Sequence, residues 1–158
     1  MDIIFNECYD SCNNIYSLYK VLDRFGDSWI IEGDVYMQEN CFTTGIQQST
    51  YFAKWHEHYE NEWGLETDEN GTLVNINIGE GCGCVMSGIS YWTETTAELI
   101  KERISTLIGN SDYTRLFWDN AVMDVLPYMN VRVMRTDLYE IDTITDLMFC
   151  EDNMRKYE

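Results

Sequence analysis

"WIIEGDVYM", Trp29 to Met37, is an apolar run that ends in two acids flanking a glycine, Glu32-Gly33-Asp34, with Tyr36 just beyond. Trp29-Ile30-Ile31 reads as a buried strand bounded by Gly33. Upstream, Ile15, Leu18, Tyr19, Leu22 and Phe25 recur at helical spacing between Ser11 and Phe25. Asn13 or Ser11 is placed to cap that helix and Gly26 to stop it. "DIIFN", residues 2 to 6, is a further short run of strand type. Strand, helix, strand is the alternation of an α/β sheet.

The rest of the chain continues the pattern. "STYFAKW" and "CVMSGISYW" read as strands, and "EWGLETDENGTLVNINIG" as two strands joined at Asp68 to Gly71, where Asn70-Gly71 supports a turn with positive φ. Thr95-Thr96-Ala97-Glu98 has capping-box form and opens a helix with Ala97, Ile100, Ile104, Leu107 and Ile108 on one face, stopped by Gly109. "LFWDNAVMDVL" is a helical segment that stops near Pro127, "NVRVMR" and "LYEID" are short strands, and Thr143 to Tyr157 is a polar closing helix. With no repeat, low-complexity tract or linker, residues 1–158 are expected to form one domain.

The 158 residues are 45% hydrophobic and 14% aromatic with a single proline, the composition of a folded chain. Against 28 Asp and Glu stand 10 Lys and Arg, a formal charge of -18. Such a field repels phosphate backbones and anionic membranes, so neither nucleic acid nor membrane is an expected partner. A nucleotide would need a metal ion or a local basic cluster to offset it, whereas a cation is welcome. No apolar run approaches bilayer length and "MDIIFNECYD" lacks a basic leader, so the expected compartment is the cytoplasm. Six cysteines without paired CxxC knuckles, and only His56 and His58 beside them, argue for reduced thiols rather than a zinc site.

Two constellations carry chemistry. Asp34 directly follows a buried strand, and ligands of open α/β sheets bind outside the carboxyl ends of strands. Asp119 in "FWDNAV" and Asp142 in "YEID" are further acids beside apolar runs. Two carboxylates from distant segments suffice for a Mg²⁺ shared with substrate phosphates, and the plainer reading is that they are turn or capping acids. Aromatic residues form the second set: Tyr36, Trp63 beside Glu62, Tyr91-Trp92, and Phe117-Trp118 beside Asp119. A quaternary ammonium has no N–H to donate and is held by such faces and carboxylates, although most tryptophans of small domains are core. No G-x-S-x-G elbow is present, and "GEGCGC" precedes a strand rather than the helix a phosphate loop requires.

In order, "NNIYSLY", "WIIEGDVYM", "STYF", "NEWGLETDENGTLVNINIG", "VMSGISYW", "YTRLFWDNAV" and "LYEIDTITDL" resemble the bacterial phosphocholine cytidylyltransferases of the sugar-nucleotide nucleotidyltransferase superfamily. The resemblance runs from about Phe5 to Leu147 and implies a Rossmann-like mixed sheet with a small β-hairpin insertion. It implies transfer of CMP from CTP to phosphocholine, with Asp34 and Asp119 as ligands of a catalytic Mg²⁺. Tyr36 and Glu32 would shape the nearby wall; Trp63, Tyr91, Trp92 and Trp118 would enclose the choline ammonium with Glu62 supplying charge; Asn14 and Ser17 would lie near the pocket. The family's opening strand and its glycine-rich loop carrying Arg and Lys have no counterpart in these residues. The chain is thus expected to correspond to the C-terminal two-thirds of the family domain, truncated at its N-terminus. A second copy, or a separate N-terminal segment, is expected to cover the apolar sheet edge that the missing strand exposes. The alternative is a non-catalytic choline or phosphocholine binding module.

Overall fold

The computed structural model describes residues 1–38, 40–42, 45–110 and 112–154. The chain packs as two compact units, each drawn from two separated segments: residues 1–28 with 92–130, and residues 29–91 with 131–158.

The first unit is helical. It contains α1 (Asn14–Tyr19), α2 (Glu94–Ile108) and α3 (Trp118–Val125), which pack on one another. The apolar spacing read along α2 is its inner face, since Ala97, Ile100 and Ile104 are fully buried. Gly109 is its C-cap, as expected, but the N-cap is Thr93, two residues ahead of the capping box read from the sequence. Glu94 N–H instead donates to Asp27 Oδ1 at 3.0 Å, so a distant carboxylate serves the helix start. The helix expected over Ser11 to Phe25 is broken: α1 ends at Tyr19 and a single 3₁₀ turn, Leu22–Arg24, follows. Asp2 to Asn6 forms no strand, and Ile3 and Phe5 are exposed, so apolar composition there is not matched by a pairing partner.

The second unit is a sheet. β1 (Ser28–Ile31), β3 (Thr50–Thr67), β4 (Leu73–Trp92) and β5 (Arg132–Arg135) take the order β1-β4-β3-β5, with β3 antiparallel to β4 and parallel to β5. β2 (Val35–Met37) pairs with β6 (Leu138–Glu140) as a separate antiparallel ribbon. This is a mixed sheet in an α/β chain. Residues 50–53 of β3 are buried, and β4 and β5 pair with their backbone on either edge. The strand segments read separately within residues 73–92 are one long strand, β4, whose ladder with β3 contains several irregularities. The turn is where Asn70-Gly71 placed it: Gly71 has φ +81°, and Asp68 Oδ1 accepts from the amides of Asn70 and Thr72 at 2.9 and 2.8 Å. Those amide hydrogen bonds hold the Asp68 carboxyl below its usual range.

Phe52, Ile89 and Leu138 form the buried centre of this unit, with Trp29, Val35 and Met37 packed against them. Burying each of the three large side chains contributes about 1.5–3 kcal/mol. β1 is a strand as expected but not a buried one: it stands at one edge of the sheet, none of its four residues is buried, and Ile31 is 48% exposed. The closing helix α4 (Ile144–Met154) starts one residue later than expected, its start capped by Asp146 Oδ2, which accepts from Thr143 N and Oγ1 at 2.8 and 2.7 Å. Positions 155–157 of the expected helix lie outside the described residues.

Candidate active site

Asp34 is delivered to the surface by a three-residue link between β1 and β2. The glycine that makes this possible is not Gly33, whose surroundings are open, but Gly88 in β4. Gly88 has φ +70°, and a Cβ there would lie 2.7 Å from Val35 Cγ2 and 3.1 Å from Glu32 Cβ. Its carbonyl accepts from Glu32 N at 2.8 Å, so the acid-bearing link lies directly on the backbone of β4. On the other side Ile141 N donates to Asp34 O at 2.9 Å, extending the β2–β6 pairing of Val35 with Glu140 by one residue. The register therefore sets Asp142 next to the partner of Asp34. Both acids are exposed.

Glu140 is the centre of this acidic group. Loss of solvent first, then the charges of Glu62, Glu32, Asp142 and Asp34, push its carboxyl up from 4.5 to about 7, although the side chain keeps contact with solvent. Unfolded, the same carboxyl ionises near 4.5, so the folded chain binds the extra proton between pH 4.5 and about 7. Stability from this group is complete below 4.5 and is lost as pH rises towards and through about 7. Glu140→Gln is expected to melt above the parent at pH 8 and with it at pH 4; parallel melting profiles across that range would refute the assignment.

A cavity of about 370 Å³ opens beside these acids, its lining including Lys54, His56, Glu62, Tyr139, Glu140 and Asp142. Tyr139 is its aromatic wall: Tyr36 lies 6.4 Å from it and Phe149 5.6 Å, centroid to centroid. The cavity thus combines faces and carboxylates, the pairing that attracts a cation lacking N–H groups.

The second unit accordingly gathers Glu32, Asp34 and Glu62 around Glu140 and sets Tyr36 beside Tyr139, while Trp63 is half-buried and Tyr91 packs on Trp29 at 5.4 Å. The remaining sequence-derived candidates belong to the first unit, and there the structure uses them for packing and capping. Trp92 is fully buried and Trp118 is 5% exposed; the two rings meet edge to face at 5.7 Å, with Phe25 6.5 Å from Trp92. As they stand, neither presents a face to a ligand. Asn14 Oδ1 accepts from Trp118 N at 3.0 Å at the start of α3, and Ser17 Oγ accepts from Asn6 Nδ2 at 2.9 Å. Asp119 is 7% exposed in the first turn of α3, where the helix dipole favours a carboxylate.

Glu140, Tyr139 and Lys54 escaped the sequence reading. "LYEID" carries the signal for two of them, an aromatic and an acid side by side in a short strand, but nothing local marks which face meets "EGD". Asp34 and Asp142 offer hard carboxylate oxygens that suit Mg²⁺. Among the described residues no group of three or more His, Cys, Asp or Glu is placed to hold a metal by itself, and a Mg²⁺ shared with substrate phosphates needs only one or two. Among the described residues no helix is long and apolar enough to cross a membrane. All six cysteines are free thiols.

No family model matches the chain. It is 32% identical over 156 residues to the choline-phosphate cytidylyltransferase of Streptococcus pneumoniae, covering 97% of this chain and 68% of that protein. It is 31% identical over 151 residues to the choline-phosphate cytidylyltransferase of Haemophilus influenzae, covering 91% of this chain and 64% of that one. The chain therefore spans about two thirds of the length of these curated relatives. The solved structure of CTP:phosphocholine cytidylyltransferase from Streptococcus pneumoniae superposes with a TM-score of 0.91 at 32% identity, over 96% of this chain and 68% of that chain. The mixed sheet and the ordered sequence blocks thus have one common account: this chain belongs to the choline-phosphate cytidylyltransferase family.

Proposed function

We propose that the chain serves the transfer of CMP from CTP to phosphocholine, giving CDP-choline and pyrophosphate, and that its second unit carries the acceptor side of that reaction. The observation that supports this most is the convergence of Glu32, Asp34, Glu62 and Asp142 on Glu140 beside an aromatic-lined cavity. In this reading an oxygen of the phosphocholine phosphate bonds to the α-phosphorus of CTP as the bond to the β-phosphate oxygen breaks and pyrophosphate leaves. Glu62 and Glu140, with Tyr36, Tyr139, Trp63 and Tyr91, attract and orient the trimethylammonium, each face contributing about 0.5–2 kcal/mol. Orientation matters because catalysis of phosphoryl transfer rests on positioning for in-line attack together with electrostatic stabilisation.

Asp34 would hold Mg²⁺, with Asp142 supported by geometry as its companion and Asp119 by resemblance. The bound ion would neutralise charge on the reacting phosphates, a need made acute by the net charge of -18. Trp92, Trp118, Asn14 and Ser17 serve this reading by building the first unit rather than by touching the ligand.

The test is a tryptophan-fluorescence titration with phosphocholine, CTP and CDP-choline, each with and without Mg²⁺. Saturable binding of CDP-choline that Mg²⁺ strengthens is the expected result. Binding of phosphocholine indifferent to Mg²⁺, with no response to CTP, would instead identify a binding module, and silence towards all three would overturn the reading.

A further inference from the structure

The cavity of the second unit is not uniformly acidic. Lys54 and His56, two residues apart on β3, both line it, as residues on one face of a strand do. Lys54 is the one Lys or Arg among the described lining residues. Its Nζ stands 3.6 Å from the centroid of the Tyr139 ring. Yet in a chain so rich in acids, Lys54 makes no ion pair within 4.0 Å and no hydrogen bond among the described residues. Every other lysine described, Lys20 and Lys101, is paired with glutamate. The ammonium brings three N–H donors that the ring does not consume, because a ring face attracts the charge without accepting directed hydrogen bonds along each N–H.

An ammonium that lines an acidic cavity and makes no ion pair among the described residues fits two ligand poles better than one. Glu62 and Glu140 suit a cation, and Lys54 with the neighbouring His56 suits an anion. Partial removal from water lowers the affinity of Lys54 for its proton, while Asp137, Cys150 and Glu140 oppose this. His56 is likewise shifted down, by loss of solvent and then by the Lys54 charge. Both groups would therefore gain from an anion close by. The cavity volume of about 370 Å³ lies within the span of small-ligand sites.

We infer that Lys54, supported by His56, is the anion pole of this cavity, donating to the phosphate of a zwitterionic acceptor whose ammonium meets the carboxylates and the Tyr139 wall. This rests on the acceptor reading given above and adds to it a residue that sets specificity: a ligand with both charges is held at both ends, whereas a bare cation must share the Tyr139 face with the Lys54 ammonium.

Calorimetric titration of the whole chain and of Lys54→Met and Lys54→Arg with phosphocholine and with choline, at fixed salt, tests it. Lys54→Met is expected to weaken phosphocholine about 10–100-fold, the loss typical of charge-assisted hydrogen bonds. It should leave choline unchanged or bind it more tightly, and Lys54→Arg should retain phosphocholine. Equal phosphocholine affinity in Lys54→Met and the parent would overturn the inference and leave the acceptor reading standing. An equal loss of choline and phosphocholine would make Lys54 a packing residue and overturn it too. A parent chain that binds neither compound would overturn both.

Discussion

Asp34→Asn is expected to remove the Mg²⁺-dependent part of CDP-choline binding while leaving the melting temperature within about a degree of the parent. The carboxylate is exposed on the short link between β1 and β2 and its backbone oxygen, not its side chain, carries the structural hydrogen bond from Ile141. Asparagine keeps the shape and loses the charge, so the fold has no reason to respond. A hard divalent cation has every reason, since a neutral amide oxygen is a poor replacement for a carboxylate beside phosphates. Where CMP transfer is measurable, the loss should be on the order of 10³-fold in turnover, the scale of deleting one main electrostatic group. Asp142→Asn should behave as Asp34→Asn does, because the β2–β6 register sets both at one end of the ribbon. Asp119→Asn decides between resemblance and geometry. Loss of the Mg²⁺ effect in Asp119→Asn but not in Asp142→Asn would return the second ligand to α3, and an undiminished Mg²⁺ effect in Asp34→Asn would take that residue out of the site.

The second large effect is expected at Trp92. Trp92→Ala should cost about 3–5 kcal/mol, the usual range for emptying a buried tryptophan site, and lower the melting temperature by on the order of 10 °C. The ring has no exposed surface and packs edge to face against Trp118 and Phe25. Alanine leaves a cavity beside Trp118 and Phe25 that a close-packed interior fills only in part. Trp92→Phe separates core from cage: it keeps an aromatic face and part of the volume, so a core role predicts intermediate stability with choline affinity unchanged. Thermal melts and choline titration on the two variants read both quantities. A choline affinity that falls in Trp92→Phe at full stability would restore Trp92 to the ligand.

What was legible in the sequence follows the length over which a pattern extends. The Asp68–Gly71 turn was readable because four consecutive residues supply both the positive φ and the capping carboxylate. The inner face of α2 was readable because its apolar spacing persists for fifteen residues. "DIIFN" misled, since five apolar-rich residues carry no information on whether a partner strand exists. The start of α2 misled for a related reason: Asp27, far away in sequence, serves the first turn in place of the local capping box.

By itself, then, the sequence determined the α/β class, the strand just ahead of Asp34, the surplus of acid and the family resemblance, because each is written in residues close together in the chain. Only the tertiary structure decided which acids meet. Asp142 and Glu140 reach Asp34 through the β2–β6 pairing across about a hundred residues, and register is a property of two strands together. Burial likewise has no local signature: it turned Trp92 and Trp118 into core, and Lys54, an ordinary lysine in "FAKW", into the one Lys or Arg among the described lining residues of an acidic cavity.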